Sequence, residues 1–191
     1  WTSFCLKVIL STRIKIKGEE NLVSNEKFFI AASHQSMFET FYLQTIFNSP
    51  VFILKKELLI IPIFGWYLKK IGSISIRRNK VTKDNLGFFD NILKIITNSK
   101  RPLIIFPQGT RVLPDERPPF KKGVSKIYEE LKINCQPVAI NSGYVWPKIG
   151  QKQSHKTITI SILKPITVGH SKEEFIKILE NEIYSELNLL N

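Results

Sequence analysis

Apolar and polar residues alternate along this chain at two periods, and the switches between them mark the elements. Arg13-Ile14-Lys15-Ile16-Lys17 alternates residue by residue, which predicts a strand with one wet face. Gly18 and Asn21 predict a turn after it. Residues 27–32, around Phe28-Phe29-Ile30, read as a buried strand. Phe38, Phe41, Tyr42, Leu43 and Ile46 predict one side of a helix to about Phe47, where Asn48-Ser49-Pro50 breaks it. Short strands are predicted over 51–54 and 73–76. Leu86, Phe89, Ile92, Leu93 and Ile96 predict a helix over 81–99. A buried strand over 103–106 follows, then a polar, proline-rich loop over 112–122 and a helix over 123–132. Strands are predicted over 137–140 and 157–162, the latter with clean alternation. The last helix opens with Ser171-Lys172-Glu173-Glu174, a capping box, and carries Phe175, Ile178, Leu179, Ile183 and Leu187 on one face.

Strands that alternate with helices predict an α/β fold, a mostly parallel central sheet flanked by helices. No repeat, low-complexity tract or linker interrupts it. The expected division is an N-terminal lead-in over 1–25 and one domain over 26–191. In such sheets sites lie beyond the carboxyl ends of strands. His34, Arg77 and Arg111 each follow a predicted strand.

Composition narrows the classes. With 191 residues, 43% hydrophobic and 23% charged, the chain can bury one sizeable core and is not a disordered one. Cys5 and Cys135 lack paired spacing, so no disulfide framework is expected and a reducing compartment fits better. His34, His155 and His170 show no zinc-site spacing, and neither metal nor cofactor is expected. The formal charge of +12 points to phosphate groups, a membrane surface or nucleic acid, or to a basic surface with no specific partner. Finger, zipper and RNP-like motifs are all missing, so nucleic acid is not expected as a partner. The only methionine is Met37, so the chain is expected to be a fragment or to be trimmed at its N-terminus, and the lead-in to be a truncated membrane-proximal segment. Within the chain, no stretch reaches the ~20 apolar residues of a spanning helix.

Candidate chemistry centres on Ala31-Ala32-Ser33-His34-Gln35-Ser36-Met37-Phe38-Glu39-Thr40, where a strand hands over to a helix. Ser36-Met37-Phe38-Glu39 fits a capping box, and Glu39 could serve only that purpose. Alternatively, His34 is a general base and Glu39 orients it. Residues five apart share no face of a regular helix, so the pair can meet only if the chain turns between them. A cap at Ser36 would supply that turn. A second stretch, 58–68, is apolar and bracketed by Lys55-Lys56 and Lys69-Lys70. It is too short to span a bilayer but suited to lying in its surface, with Trp66 and Tyr67 at the interface. A buried core turn with snorkelling lysines is the other reading.

The order His34-x4-Glu39, Ile76-Arg77, Phe106-Pro107-Gln108-Gly109-Thr110-Arg111 and Pro137-Val138-Ala139-Ile140 resembles the glycerolipid acyltransferase family, most of all its bacterial 1-acylglycerol-3-phosphate branch. The likeness runs from about Ile16 to Val168. It implies a glycerophospholipid acyltransferase-like fold and transfer of an acyl group from acyl-CoA or acyl-carrier protein to lysophosphatidic acid. It also implies an anionic membrane surface as partner, at the cytoplasmic face of the bacterial inner membrane. His34 takes the family's base position and Glu39 that of its aspartate. Arg77, with Arg78 as a second alignment, and Arg111 take its phosphate-binding positions. Gln108, Gly109 and Thr110 take the acceptor-binding block. Three features depart from the pattern: Glu39 for aspartate, the uncharged Gln108 for glutamate, and Ser33 and Val112 for asparagine and serine.

Other readings are a different acceptor (glycerol-3-phosphate or another lysophospholipid), a non-catalytic basic module that docks on membranes, and a hydrolase that uses His34 with Ser36. A substrate hydroxyl as nucleophile accounts for the missing G-x-S-x-G elbow.

Overall fold

The computed structural model describes residues 4, 6, 8, 10–24, 26–76, 88–99 and 101–190. Among the described residues, seven strands form one sheet: β1 (Arg13–Lys17), β2 (Phe28–Ala32), β3 (Val51–Lys55), β4 (Ile74–Ile76), β5 (Leu103–Ile105), β6 (Asn134–Ile140) and β7 (Thr157–Ile162). Their order across the sheet is β1-β7-β6-β2-β5-β3-β4. Every neighbouring pair is parallel except β6 and β7. The expected mostly parallel sheet is therefore present. The antiparallel β7 turns β1 with it, so both run against the other five. Residues 13–17 thus form the sheet's edge beside β7.

Among the described residues, the helices that flank the sheet with defined bounds include α1 (Phe38–Ile46), α2 (Phe64–Lys70), α3 (Phe88–Ser99), α4 (Gly123–Leu131) and α5 (Lys172–Leu189). Alternation along β2 explains how they cover the sheet. Phe29 and Ala31 point into a core with Ile92 of α3, Val124 and Tyr128 of α4, and Phe175 and Leu179 of α5. Ile30 and Ala32 point into a second core with Phe38 and Leu43 of α1. Successive side chains of a strand face opposite sides, so a central strand covered on both faces must be apolar throughout. Phe29 through Ala32 are all fully buried.

Most predicted boundaries hold within two residues. The first exception is β6, which starts at Asn134 rather than 137. Gln136 looks too polar for a buried strand, yet its amide accepts from Val23 N–H (3.1 Å) and donates to the Leu163 carbonyl (2.5 Å). The predicted helix over 81–99 is described from Phe88 onward; Arg77, Arg78 and residues 79–87 lie outside the described residues. Cys135 is a buried free thiol, pushed well up by that burial, with the Ala31 backbone pulling the other way.

What positions the site is register. Phe29 pairs with Leu103 and Ala32 with Val138, so β2, β5 and β6 end near one another at a single edge. Ile53 pairs with Ile74 and Lys55 with Ile76, which brings β3 and β4 to the same edge.

The capping box on α5 is complete. Ser171 Oγ accepts from Glu174 N–H (3.2 Å), and Glu174 Oε2 accepts from Ser171 N–H (3.0 Å). Ser171 N–H and the Ser171 hydroxyl (2.9 Å) both donate to Glu174 Oε2, which favours the charged carboxylate and holds Glu174 below its ordinary range. A depressed folded-state value stabilises at pH above the ordinary carboxylate range, and that contribution fades as pH falls through the folded value. Ser171→Ala should cost about 1 kcal/mol at neutral pH. Chemical denaturation of both proteins across pH 3–7 checks this, with the gap narrowing on the acid side.

Candidate active site

His34 lies just past the carboxyl end of β2, and Glu39 lies in the first turn of α1. The chain between them folds back so that His34 Nδ1 faces Glu39 Oε2 at 3.4 Å. Distance and aim fall short of a full hydrogen bond, so the pairing is electrostatic. Free enzymes often hold such contacts long until substrate tightens them.

The turn is built differently from a simple serine cap. Glu39 reaches back and accepts from the backbone N–H groups of Gln35 (3.1 Å) and Ser36 (3.0 Å). Ser36 Oγ accepts from Phe38 N–H (3.0 Å), and α1 takes Met37 as its N-cap with no side-chain cap. The glutamate half of the expected capping box is present, and the serine half has moved one position. The reason is that the chain enters α1 through a helical residue, which puts Phe38 N–H, not Glu39 N–H, within reach of the hydroxyl.

Glu39 is fully buried, and a buried carboxylate needs donors around it. A third donor comes from far along the chain: the Ser142 hydroxyl, in the turn after β6, donates a hydrogen bond to Glu39 Oε1. The same turn is clamped again where Gly143 N–H donates to Gln35 Oε1 (3.0 Å). Ser33 Oγ accepts from Ile140 N–H (2.8 Å), which ties β2 to β6 directly before His34.

The segment after β5 wraps His34 from the other side. The imidazole stacks on the Phe106 ring, centroids 4.0 Å apart and planes within 15°. His34 N–H donates to Gln108 Oε1 (3.1 Å), and Val112 N–H donates to the His34 carbonyl (2.9 Å). Gly109 makes this return possible, with φ of 75° and its N–H on the Phe106 carbonyl (2.9 Å). The Gln108 amide also lies against the Tyr184 phenol of α5. Burial first, and the Glu180 carboxylate next, push that phenol up. The His34 side chain keeps 16% exposure. Thr110 is exposed, and Arg111 is half-buried with no ion pair or hydrogen bond to another described residue.

An imidazole backed by a buried carboxylate on one side and open on the other can take a proton from a hydroxyl. A half-buried guanidinium fork can take a phosphate. Among the described residues, no three His, Cys, Asp or Glu side chains converge as a metal site.

The family model described as acyltransferase matches residues 13–141, which span β1 to the end of β6 and hold most of this geometry. The chain belongs to the acyltransferase family.

Relatives agree. The chain is 31% identical to the 1-acyl-sn-glycerol-3-phosphate acyltransferase of Pseudomonas aeruginosa, over 85% of this chain and 63% of that protein. It is 32% identical to the enzyme of the same name from Saccharomyces cerevisiae, over 90% of this chain and 57% of that one. The chain thus spans less than two thirds of either relative. The crystal structure of the 1-acyl-sn-glycerophosphate (LPA) acyltransferase PlsC from Thermotoga maritima shares its fold. Its TM-score is 0.77 at 23% identity, covering 95% of this chain and 74% of that one.

Within this acyltransferase domain the structure brings His34, Glu39, Gln108, Gly109, Thr110 and Arg111 to one edge of the sheet. Arg77 lies outside the described residues; Ile76, before it, ends β4 at that same edge. Ser142 and Phe106 are additional. Ser142 stands just beyond the carboxyl end of a predicted strand and Phe106 is the last residue of another, and that location was the available signal. Ser142→Ala removes one donor from a buried carboxylate and should cost about 1.5–3 kcal/mol. A urea titration of both proteins measures it; a loss below about 0.5 kcal/mol would mean that the hydroxyl is not holding Glu39.

Proposed function

We propose that this chain transfers a fatty acyl group from an acyl thioester, acyl-CoA or acyl-carrier protein, to the free hydroxyl of 1-acyl-sn-glycerol-3-phosphate. The product is phosphatidic acid. The observation that carries this reading is the His34–Glu39 pair, held at the sheet edge beside Arg111 in a member of the acyltransferase family. The names of the relatives support the choice of acceptor.

In this reading the neutral His34 imidazole takes the acceptor's hydroxyl proton as its oxygen attacks the thioester carbonyl. Glu39 holds the ring and stabilises the imidazolium that forms. Collapse of the tetrahedral intermediate breaks the carbon–sulfur bond, and the imidazolium returns its proton to the departing thiolate. Base assistance of this kind is worth roughly 10²–10⁴-fold, and holding the two substrates together supplies much of the rest. Arg111 and Arg77 bind the acceptor's phosphate, and Gly109 and Thr110 line its approach. Gln108 acts through its hydrogen bond to His34 N–H. An uncharged amide suits that buried position better than a carboxylate would.

A membrane surface completes the reading, because the acceptor and the product are lipids. No helix of the described residues is long and apolar enough to cross a membrane. The hydrolase reading loses support from Ser36: its side chain is buried and already accepts from Phe38 N–H.

Incubation of the purified chain with acyl-CoA or acyl-carrier protein and lysophosphatidate should give phosphatidate. His34→Ala should lower the rate at least ~10²-fold. Transfer that survives the substitution would remove His34 from the chemistry. Fatty acid released without acceptor would point to hydrolysis instead. Arg111→Ala should raise the KM for lysophosphatidate at least ~10-fold, as expected for a charge-assisted contact, and leave that for the donor nearly unchanged. Equal effects on both would count against phosphate binding.

A further inference from the structure

We propose that the crossover from β3 to β4 is a docking surface that enters one leaflet of an anionic phospholipid bilayer without crossing it. After β3 the chain makes a 3₁₀ turn over Lys56–Ile60 and then α2. Ile60 is 80% exposed, Ile63 77% and Trp66 71%, with Ile61 and Tyr67 also exposed. A run of large apolar side chains out in water marks a contact surface.

The run is held out by the backbone. Ile63 sits at φ 65°, ψ −55°, a conformation that costs a β-branched residue energy. That strain serves no core contact, since the side chain is in solvent. The turn and α2 are locked together at Gly65, where a Cβ would lie 2.2 Å from the Leu59 carbonyl oxygen. The surface is thus a preformed wedge.

Charge decides the occupant. Lys56, Lys69 and Lys70 are exposed around the apolar run, and Glu57 is the one acid among residues 56–70. Lysines beside Trp and Tyr match the headgroup zone of an anionic leaflet. A second copy of a chain carrying +12 would bring like charges together there. The segment is too short to span, which fits insertion into the interface.

Position gives the docking its use. The crossover leaves the sheet at the carboxyl end of β3, the edge at which His34 stands. Tyr67 is also tied to α1, the helix that carries Glu39: Gln44 Nε2 donates to its hydroxyl at 2.9 Å. Docking by this wedge therefore sets the His34 edge toward the lipid. This deepens the membrane contact proposed above, and rests on that reading for the direction from which acceptor arrives.

The test uses the 191-residue chain and sucrose-loaded vesicles. One set is equal parts phosphatidylglycerol and phosphatidylcholine, the other phosphatidylcholine alone. Wild type should sediment with the anionic set. Ile60→Ser/Ile63→Ser/Trp66→Ser should bind at least ~10-fold more weakly at an unchanged melting temperature, since each lost apolar burial is itself worth about that factor. Ile149→Ser/Val168→Ser, at exposed apolar positions elsewhere, should bind as wild type. Bromine-labelled anionic lipid should quench tryptophan fluorescence in wild type far more than in Trp66→Phe. Undiminished binding by the triple variant overturns the proposal. So does equal binding to both vesicle sets, or a wild-type dimer that the triple variant loses. Binding is measured without donor or acceptor, so its outcome is independent of the acyl-transfer assay.

Discussion

The buried carboxylate of Glu39 is the constraint on which the rest of this site depends. A fully buried charge is tolerated only with donors around it. Glu39 finds them in Gln35 N–H, Ser36 N–H and the Ser142 hydroxyl, and His34 stands at 3.4 Å. Meeting that demand bends the chain back between His34 and α1. It also draws the turn after β6 against the turn after β2. The same contacts that stabilise the charge therefore set the imidazole's place. A shorter side chain at position 39 would have to move the helix or lose a donor, which accounts for a glutamate working in this turn.

Around that pair the sheet acts as a jig. Five parallel strands end at one edge, and the connections that leave β2, β5 and β6 meet there. Each contributes its own groups: the imidazole from the first, the Phe106 face and Gln108 amide from the second, the Ser142 hydroxyl from the third. The crossover after β3 starts at the same edge and turns its apolar side chains outward. In the function proposed above, strand direction is what sets the His34 edge beside that crossover.

Much of this was legible in the residues. β1, β7 and α5 announced themselves by alternation or by a capping box, because local periodicity and local hydrogen bonds determine them. The members of the site on this edge, His34, Glu39, Gln108, Gly109, Thr110 and Arg111, were legible as ordered blocks placed after predicted strands. The N-terminal half of β6 was not. Gln136 reads as a surface residue until Val23 N–H and the Leu163 carbonyl, both distant in sequence, are seen to satisfy its amide. The Ser36 cap was half legible. The glutamate's reach back to Ser36 follows from spacing, whereas the hydroxyl's partner depends on one residue's ψ at the start of α1.

The sequence by itself determined the alternation of strand and helix, the pairing of a histidine with a carboxylate across a turn, and a basic rim around an apolar stretch. These are properties of neighbours, written in period, spacing and charge. Only the tertiary structure decided that Ser142 would donate to Glu39, that Phe106 would stack on His34, and that Ile60, Ile63 and Trp66 would stay in solvent rather than fill the core. The physical reason is register. Phe29 beside Leu103 and Ala32 beside Val138 set which loops share an edge, and no local pattern encodes the offset between strands so far apart in the chain.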